Sequence, residues 1–570
     1  MQNKEKLDIL RHSAAHLMAQ AISQLYPTTK LTLGPPTAEG FFYDCQPQEE
    51  NFKEHDLPLI EERMHELAKQ DIPITHKQIS KEEARKIFHD NPFKLEMIDL
   101  IPDETVGLAE QGEFKDLCRG GHVDSTSEIK NFKLLNISGS YWRADRNGTP
   151  LQRLSGTAFF TEKELEAYLQ RLEDLKQYDH RRLGKQMELF SFHEEGPGFP
   201  FFLPKGRIVY NIMMDYMRKI LRKYDHEEIS TPGMLSVELW KQSGHYDHYK
   251  ENMYFSEIDE KEFAIKPMNC PGSILVYKER PRSYRELPLR LAELGYMHRH
   301  ELSGVLNGLF RVRSFLMDDA HIYCTSDQIE SEVLSLITMI NEVLNKFGFD
   351  NVDIALSTRP EKAMGTDEMW ENAEKSLSEA LNKSGIKYKI QEGDGAFYGP
   401  KIDFKIKDSM DREWQCSTIQ VDFNNPENFD LSYINSEGKK ERPVMIHRAI
   451  YGSFERFYGI ILEHYKGNFP FWLAPVQVQV LTITDAANSY AKNIAAELKK
   501  ADIRVKLDDS SDQISGKIKA AQLAKVPWML IIGKKEEQNN TVSVRYQNGK
   551  QEQGLSLEKV IEKAHELNKY

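Results

Sequence analysis

The segment Met297-His-Arg-His-Glu301, followed by Leu309-Phe-Arg-Val-Arg-Ser-Phe315, constrains this chain most. Arg299 and Glu301 stand two apart, as residues do on one face of a strand. A short loop then returns to a second strand carrying Arg311 and Phe315. Arginine forks grip phosphate oxygens, and a ring can stack on a purine. The two strands therefore predict a nucleoside-triphosphate site without a glycine-rich P-loop. An Arg-x-Glu pair alone is weak, because such pairs on strands are usually salt-bridged surface. A further arginine, Arg456, opens a helix after a glycine in Ala449-Ile-Tyr-Gly-Ser-Phe-Glu-Arg-Phe457. The ordered set says far more than any one piece.

At 570 residues the chain predicts roughly three to five domains. Its 40% apolar and 29% charged residues suit a globular protein in water. No run of apolar residues is long enough to predict a membrane span. Met1 to Leu10 is polar and charged, unlike a signal or transit peptide. The five cysteines are scattered and odd in number, which predicts a reducing, cytoplasmic setting. A net charge of −13 argues by itself against nucleic acid. The charge is uneven, however: Val476 to Tyr570 holds 15 Lys/Arg against 12 Asp/Glu. An acidic enzyme can still present a local basic face to RNA.

Residues 5–26 predict an amphipathic helix, with Leu7, Leu10, Ala14, Leu17, Met18 and Ile22 at helical spacing. Gly34-Pro35-Pro36 breaks the pattern. Short strands and helices follow to about residue 160. Thr161 with Glu164 reads as a capping box at the start of a charged helix over 161–183, a connector. A large central block spans 184–473, with an apolar helix at 207–224 and many strands. After Ala474-Pro475, strands at 476–483, 503–507 and 528–533 alternate with helices at 486–500 and 513–524. That order predicts a small, largely parallel sheet with helices against it.

Two clusters could bear further chemistry. Cys270, His321 and His447 would make a three-ligand zinc site with an open position. They are also compatible with a buried cysteine and two hydrogen-bonded histidines. His12 and His16 lie four apart on one helical face, and Cys118 and His122 add a thiol and a third imidazole. That quartet reads equally as a four-ligand zinc set or as a general-base cluster for ester hydrolysis.

The arginine pieces resemble motifs 2 and 3 of class II aminoacyl-tRNA synthetases. The words RHSAAHLMAQA, SGHYDHY, KPMNCPG, LPLRLAELG, HRHELSG, FRVRSF, DDAHIYCT, EGDGAFYGPKIDF, WQCSTIQVDF, MIHRAIYGSFERF and LAPVQV resemble the threonyl-tRNA synthetase family, in its order and over nearly the whole chain. The resemblance implies an α+β multidomain fold. Its parts would be an α+β editing domain (1–160), a linker helix (161–183), a class II antiparallel-sheet catalytic domain (184–473) and an α/β anticodon-binding domain (474–570). It implies Zn²⁺ on Cys270, His321 and His447, and ATP with Mg²⁺ at Arg299, Glu301, Arg311, Phe315, Gln415 and Arg456. Threonine or its adenylate would meet Asp319, Tyr398, Lys401 and Gln415, with His245 in a loop beside them. His12, His16, Cys118 and His122, with Lys94, Asp116 and Tyr43, would hydrolyse seryl-tRNA. Glu536 and Arg545 would contact the anticodon of tRNA(Thr). Residues 207–224 and the segment ending near Pro232 resemble motif 1, which implies a homodimer.

Such an enzyme has a physical reason for two sites. A methyl group alone discriminates by only ~1–3 kcal/mol. Threonine and valine differ by a hydroxyl, which an open zinc position can test. Serine keeps that hydroxyl, so it needs a second, hydrolytic check. The chain also departs from the family's pattern. Bacterial members usually begin with a small ubiquitin-like domain, whereas this sequence starts at the editing region. Met317 stands where glutamine is usual. Ser273, Ser314 and Ser417 replace histidine, glycine and glycine, and these four are expected near the amino-acid pocket. Asp508-Asp-Ser-Ser511 replaces a segment richer in Arg and Asn, which could weaken tRNA binding. A non-charging RNA-binding paralogue and a duplicated, inhibitor-tolerant copy are the alternative readings.

Overall fold

The computed structural model describes residues 2–145 and 147–569. The chain forms two compact units, Met1–Asp174 and Leu175–Tyr570.

In the first unit the helix Gln2–Leu25 buries Leu10, Ala14, Leu17, Met18 and Ile22, but Ser13 to Ile22 are buried on every side, so this stretch is a core helix rather than the amphipathic one expected. With the helix Asp56–Lys69 it shares a core with an antiparallel sheet ordered Lys30–Leu31, Phe41–Gln46, Pro150–Phe159, Asn131–Tyr141. A second antiparallel sheet is built from Ile74–Ser80, Thr105–Gln111 and Phe114–Leu117. Beside it, Asn91 caps the helix Pro92–Leu100 by accepting from the Phe93 and Lys94 N–H groups, both at 3.2 Å.

Thr161 and Glu164 form the expected capping box. The single helix predicted over 161–183 is, however, two helices, Glu162–Gln177 and His180–Gln186. The Asp179 carboxylate accepts the Arg181 N–H at 2.8 Å and starts the second one.

The second unit is built on eight strands: β1 (Glu227–Glu228), β2 (Leu289–His298), β3 (Ser314–Cys324), β4 (Val352–Ser357), β5 (Tyr388–Gln391), β6 (Lys401–Lys407), β7 (Glu413–Asp422) and β8 (Val444–Ser453). Their order is β1-β2-β3-β8-β7-β6-β4-β5. Every pairing is antiparallel except the two at the edges. The helices Pro204–Lys223, Ile329–Lys346 and Phe454–His464 join the sheet in one large core.

Arg299, Glu301 and Arg311 are not on strands, contrary to the sequence reading. The Arg299 N–H still reaches Arg313 O at 3.0 Å, but His300 turns to Asn252 O and Glu301 folds back to Arg299 O. The chain has left the ladder by then, and Arg311 lies in the loop that precedes β3. Only Phe315 is on a strand.

The last five strands, Val478–Thr482, Val505–Asp508, Trp528–Ile532, Val542–Tyr546 and Gln551–Leu555, form a separate sheet with its own core. The first three run parallel, with Val478–Thr482 central. The other two add antiparallel pairings, so the sheet is mixed rather than largely parallel.

Candidate active site

Alternation along β3 sets Phe315, Met317, Asp319 and His321 on one face of the sheet. A strand rises about 3.4 Å per residue, so this row is about 20 Å long. A cavity of about 680 Å³ lies over it. Phe315, Met317 and Asp319 line it, together with Arg299, Glu301, Arg311, Tyr398, Gln415, His447 and Arg456.

At the Phe315 end, the Arg299 guanidinium sits 5.2 Å from the Phe315 ring centre and 5.6 Å from that of Tyr249. Arg311 Nε donates to Glu301 Oε2 at 3.0 Å. Arg456 is in the first turn of Phe454–His464, where the Ser453 Oγ accepts its N–H at 3.2 Å. Its buried Nε has no hydrogen-bond partner.

Gln415 reaches the cavity through an irregularity in β7. Phe404 pairs with Ser417 but Lys405 pairs with Gln415, so Cys416 is extra. The bulge puts Gln415 beside Thr418 and Gln420 on the cavity wall. Gln415 Nε2 donates to Asp403 Oδ1 at 2.6 Å, and the Tyr398 hydroxyl donates to Gln420 Oε1 at 2.7 Å. Lys401 is held by Asp403 at 2.9 Å and is not among the cavity-lining residues. Asp319 accepts from Asn269 Nδ2 at 3.4 Å, and burial pushes its carboxyl up to about 6. His245 opens the short helix His245–Tyr249 rather than lying in a loop. It is buried against Met268 Sδ at 3.0 Å and bonds Ser243 Oγ at 2.8 Å; Met268, not His245, lines the cavity.

Of the four unusual residues, only Met317 lines the cavity. Ser273 Oγ bonds the Tyr323 hydroxyl at 3.0 Å, Ser417 Oγ donates to Ile450 O at 2.5 Å, and Ser314 pairs with His298 at the start of β3. The Ser273 and Ser417 hydroxyls are thus engaged beside the pocket, and none of the three serines lines its wall.

At the far end of the row His321 faces His447 directly across the β3–β8 ladder, with ring centres 4.9 Å apart. The donor atoms of Cys270, His321 and His447 lie within 4.8 Å of one another, and all three residues are buried. Among the described residues neither ring nitrogen of His321 has a hydrogen-bond partner. Burial, then His447, hold its imidazole well below the ordinary range. Burial works against charge on His447, but Cys270 and Asp422 hold it well above. Asp422 Oδ2 lies 2.8 Å from His447 Nε2, while Nδ1 faces Cys270 Sγ at 3.4 Å. The carboxylate keeps the Nε2–H, so when a metal displaces the other proton Nδ1 is the lone pair that remains, the arrangement a metal-ligating histidine requires. Two orphaned nitrogens beside a thiol and an oriented imidazole fit a soft or borderline divalent ion.

In the first unit the quartet also converges. Cys118 Sγ lies 3.0 Å from His122 Nε2 and 3.5 Å from His12 Nε2. His16 is 4.5 Å from His122 between ring centres. Burial lowers His12, takes His16 down to about 4 and, with the neighbouring imidazoles, His122 to about 2. Burial raises the Cys118 thiol. The cluster is thus a set of neutral bases. Behind it Asp116 binds Lys94 and the Tyr43 hydroxyl, all three buried, and lies 3.7 Å from His16 Nδ1. Burial alone would raise Asp116, but Lys94 and His16 hold it below the usual range.

Glu536, the expected anticodon contact, has a local role as well. It is the capping residue of the helix Lys534–Asn539, accepting from Gly533 N–H at 3.0 Å and Ser543 Oγ at 2.8 Å. Arg545 Nε is buried without a partner.

Sequence reading missed Asp422, Gln420, Thr418 and Asn269. Asn269 packs where Gly295 leaves room, since a Cβ there would stand 2.3 Å from its Oδ1. Gln420 and Asp422 alternate at the end of a strand already rich in polar residues, and that was the available signal.

An antiparallel sheet with three arginines and a ring at one end of its cavity defines a class II aminoacyl-tRNA synthetase. Residues 254–465 match the tRNA synthetase class II core domain (G, H, P, S and T). Residues 477–567 match the anticodon binding domain, and 106–155 the threonyl and alanyl tRNA synthetase second additional domain. The chain is 52% identical over 541 residues to a threonine–tRNA ligase of Acetivibrio thermocellus, covering 94% of this chain and 85% of that one. It is 50% identical to that of Clostridium tetani, covering 98% and 88%. A solved RNA-binding domain of threonyl-tRNA synthetase from Cryptosporidium parvum Iowa II matches with a TM-score of 0.65 and 44% identity, over 68% of this chain and 98% of that one. The chain belongs to the threonine–tRNA ligase family, ATP-dependent enzymes that join threonine to tRNA.

Proposed function

We propose that Cys270, His321 and His447 hold one zinc ion that selects threonine, and that the row along β3 is read from nucleotide to amino acid. The observation that carries this reading is His321, buried with both nitrogens unpaired opposite an oriented His447. When bound, the ion supplies a Lewis-acid position that takes the amino and hydroxyl groups of threonine together, which valine cannot match.

The adenine stacks on Phe315 and the α-phosphate meets Arg299. The threonine carboxylate oxygen bonds to that phosphorus as the bond to pyrophosphate breaks. Arg311 and Arg456 hold the departing phosphates, with Mg²⁺ carried by ATP. Asp319, Tyr398 and Gln415 position threonine and its adenylate, with Lys401 holding Asp403 behind Gln415; the adenylate then acylates the terminal ribose of tRNA(Thr) and AMP leaves. Catalysis here is placement and charge stabilisation. Seryl-tRNA is hydrolysed in the first unit, where neutral His12, His16 and His122 are available to take a proton from water. The short edge strand β1 and the helix Pro204–Lys223 form a homodimer face, and five free cysteines suit the cytoplasm.

Metal analysis combined with threonine-dependent ATP–pyrophosphate exchange tests the centre of this reading. The protein is expected to hold about one zinc per chain. Cys270→Ser should lose both the ion and threonine activation. Full zinc with normal activation in that variant would sink the assignment.

A further inference from the structure

His180 begins the helix His180–Gln186 and is fully buried. Its Nδ1 lies 2.6 Å from Glu463 Oε1, and its backbone N–H donates to the same oxygen at 2.7 Å. Its Nε2 accepts the Leu309 backbone N–H at 3.0 Å. The amide can only donate, so Nε2 is the lone pair and Nδ1 carries the proton. Asp179, His180 and Glu463 lie close enough together to resemble a metal cluster. Both imidazole nitrogens are already used, however, so the group is a tether and not a ligand set.

The tether has two ends. Leu309 precedes Phe310 and Arg311, which line the cavity. The Phe310 ring is 4.1 Å from His180 and 4.5 Å from Trp414. Gly308 has φ +49°, and a Cβ there would stand 2.1 Å from His180 Nε2. Only glycine lets the loop come so close. At the other end, Glu463 is in the last turn of the helix that presents Arg456. Arg412 joins Glu463 to Asp408; Asp408 accepts Trp414 Nε1–H at 2.8 Å, and the Arg456 guanidinium lies 5.8 Å from the Trp414 ring.

We propose that His180 is a positioning residue for ATP: it ties the loop bearing Arg311 to the helix bearing Arg456, and so fixes how far apart the two arginines stand across the triphosphate. The inference rests on the reading that these arginines meet ATP phosphates.

ATP–pyrophosphate exchange on the full chain tests it, with KM measured separately for ATP and threonine. His180→Ala and Gly308→Ala should each raise the ATP KM about tenfold, and leave the threonine KM within about twofold, because only one end of the cavity is disturbed. The double variant should be no worse than the poorer single one, since alanine at 308 then enters the space His180 vacates. Multiplied effects, or an ATP KM unmoved in both single variants, would overturn the proposal. Should His180→Ala fail to fold, Gly308→Ala alone decides by the same ATP KM. Arg311→Ala is run alongside: if it leaves the ATP KM unchanged, the placement of ATP is at fault and the tether falls with it.

Discussion

Met317 shows how much one side chain in the β3 row can be asked to do. It packs against the cluster of Met297, Val312 and Phe315 and lines the cavity between Phe315 and Asp319. A glutamine there would offer an amide to the substrate, whereas methionine offers only a weak acceptor. One such hydrogen bond is worth about 0.5–1.5 kcal/mol net. Met317→Gln should therefore raise kcat/KM for threonine by several-fold, about 2–12 times by the same energies. Adenylate-mimicking inhibitors that use the amide should tighten in parallel. An unchanged kcat/KM with unchanged inhibition would make Met317 a packing residue only. Of this row only Phe315 was read from strand spacing; Met317 and Asp319 entered through the family resemblance, although period-two spacing does run through β3. Cys270, His321 and His447 could be paired only through a family resemblance, since no local spacing joins residues so far apart. Asp422, which orients His447, carried no such mark. Glu536, expected at the anticodon, also closes a capping box at the start of the helix Lys534–Asn539, a local role its spacing did not announce.

Among the elements, the irregular ones place the chemistry. The β3–β8 ladder pairs Asp319 with Ala449 but Met317 with Ser453, so β8 carries two surplus residues around Ile450–Gly452. Gly452 has φ +73°, and a Cβ there would approach Cys416 O to 3.0 Å. That kink turns β8 into the helix whose first turn holds Arg456. Gly452→Ala forces a left-handed alanine, which costs about 1–2 kcal/mol. A lower melting temperature is expected, together with a loss of ATP–pyrophosphate exchange greater than the loss of zinc. Full exchange activity at unchanged stability would show the kink to be idle. Alternation alone places Gln415 on the wrong face and extends β2 through Glu301, because bulges and ladder exits obey hydrogen bonding rather than hydrophobic period. Helices were easier to read: the extent of Gln2–Leu25 and the cap at Thr161 follow from spacing and local hydrogen bonds, though the first helix is buried all round in its second half.

For the whole molecule, synthesis and proofreading occupy different compact units, so they should fail independently. His12 and His16 lie four apart on one helix, and that local spacing made the quartet legible; Lys94, Asp116 and Tyr43 come from three separate elements and were reached only through the family resemblance. A His12→Ala, His16→Ala double variant should keep threonine activation while losing most deacylation of seryl-tRNA, which a charging assay and a deacylation assay on the same preparation would read separately. The acidity of the cluster sharpens the test. Burial takes His16 down to about 4, so its imidazole stays neutral above that value and gains a proton only below it. Were the working base an exposed histidine, with its proton affinity near 6.5, deacylation would already be halved at that pH. Buried His16 as the working base instead predicts a rate that holds from pH 7 to about 5 and falls as pH approaches 4. A midpoint near 6.5, or deacylation that survives the double substitution, would move the hydrolytic site elsewhere.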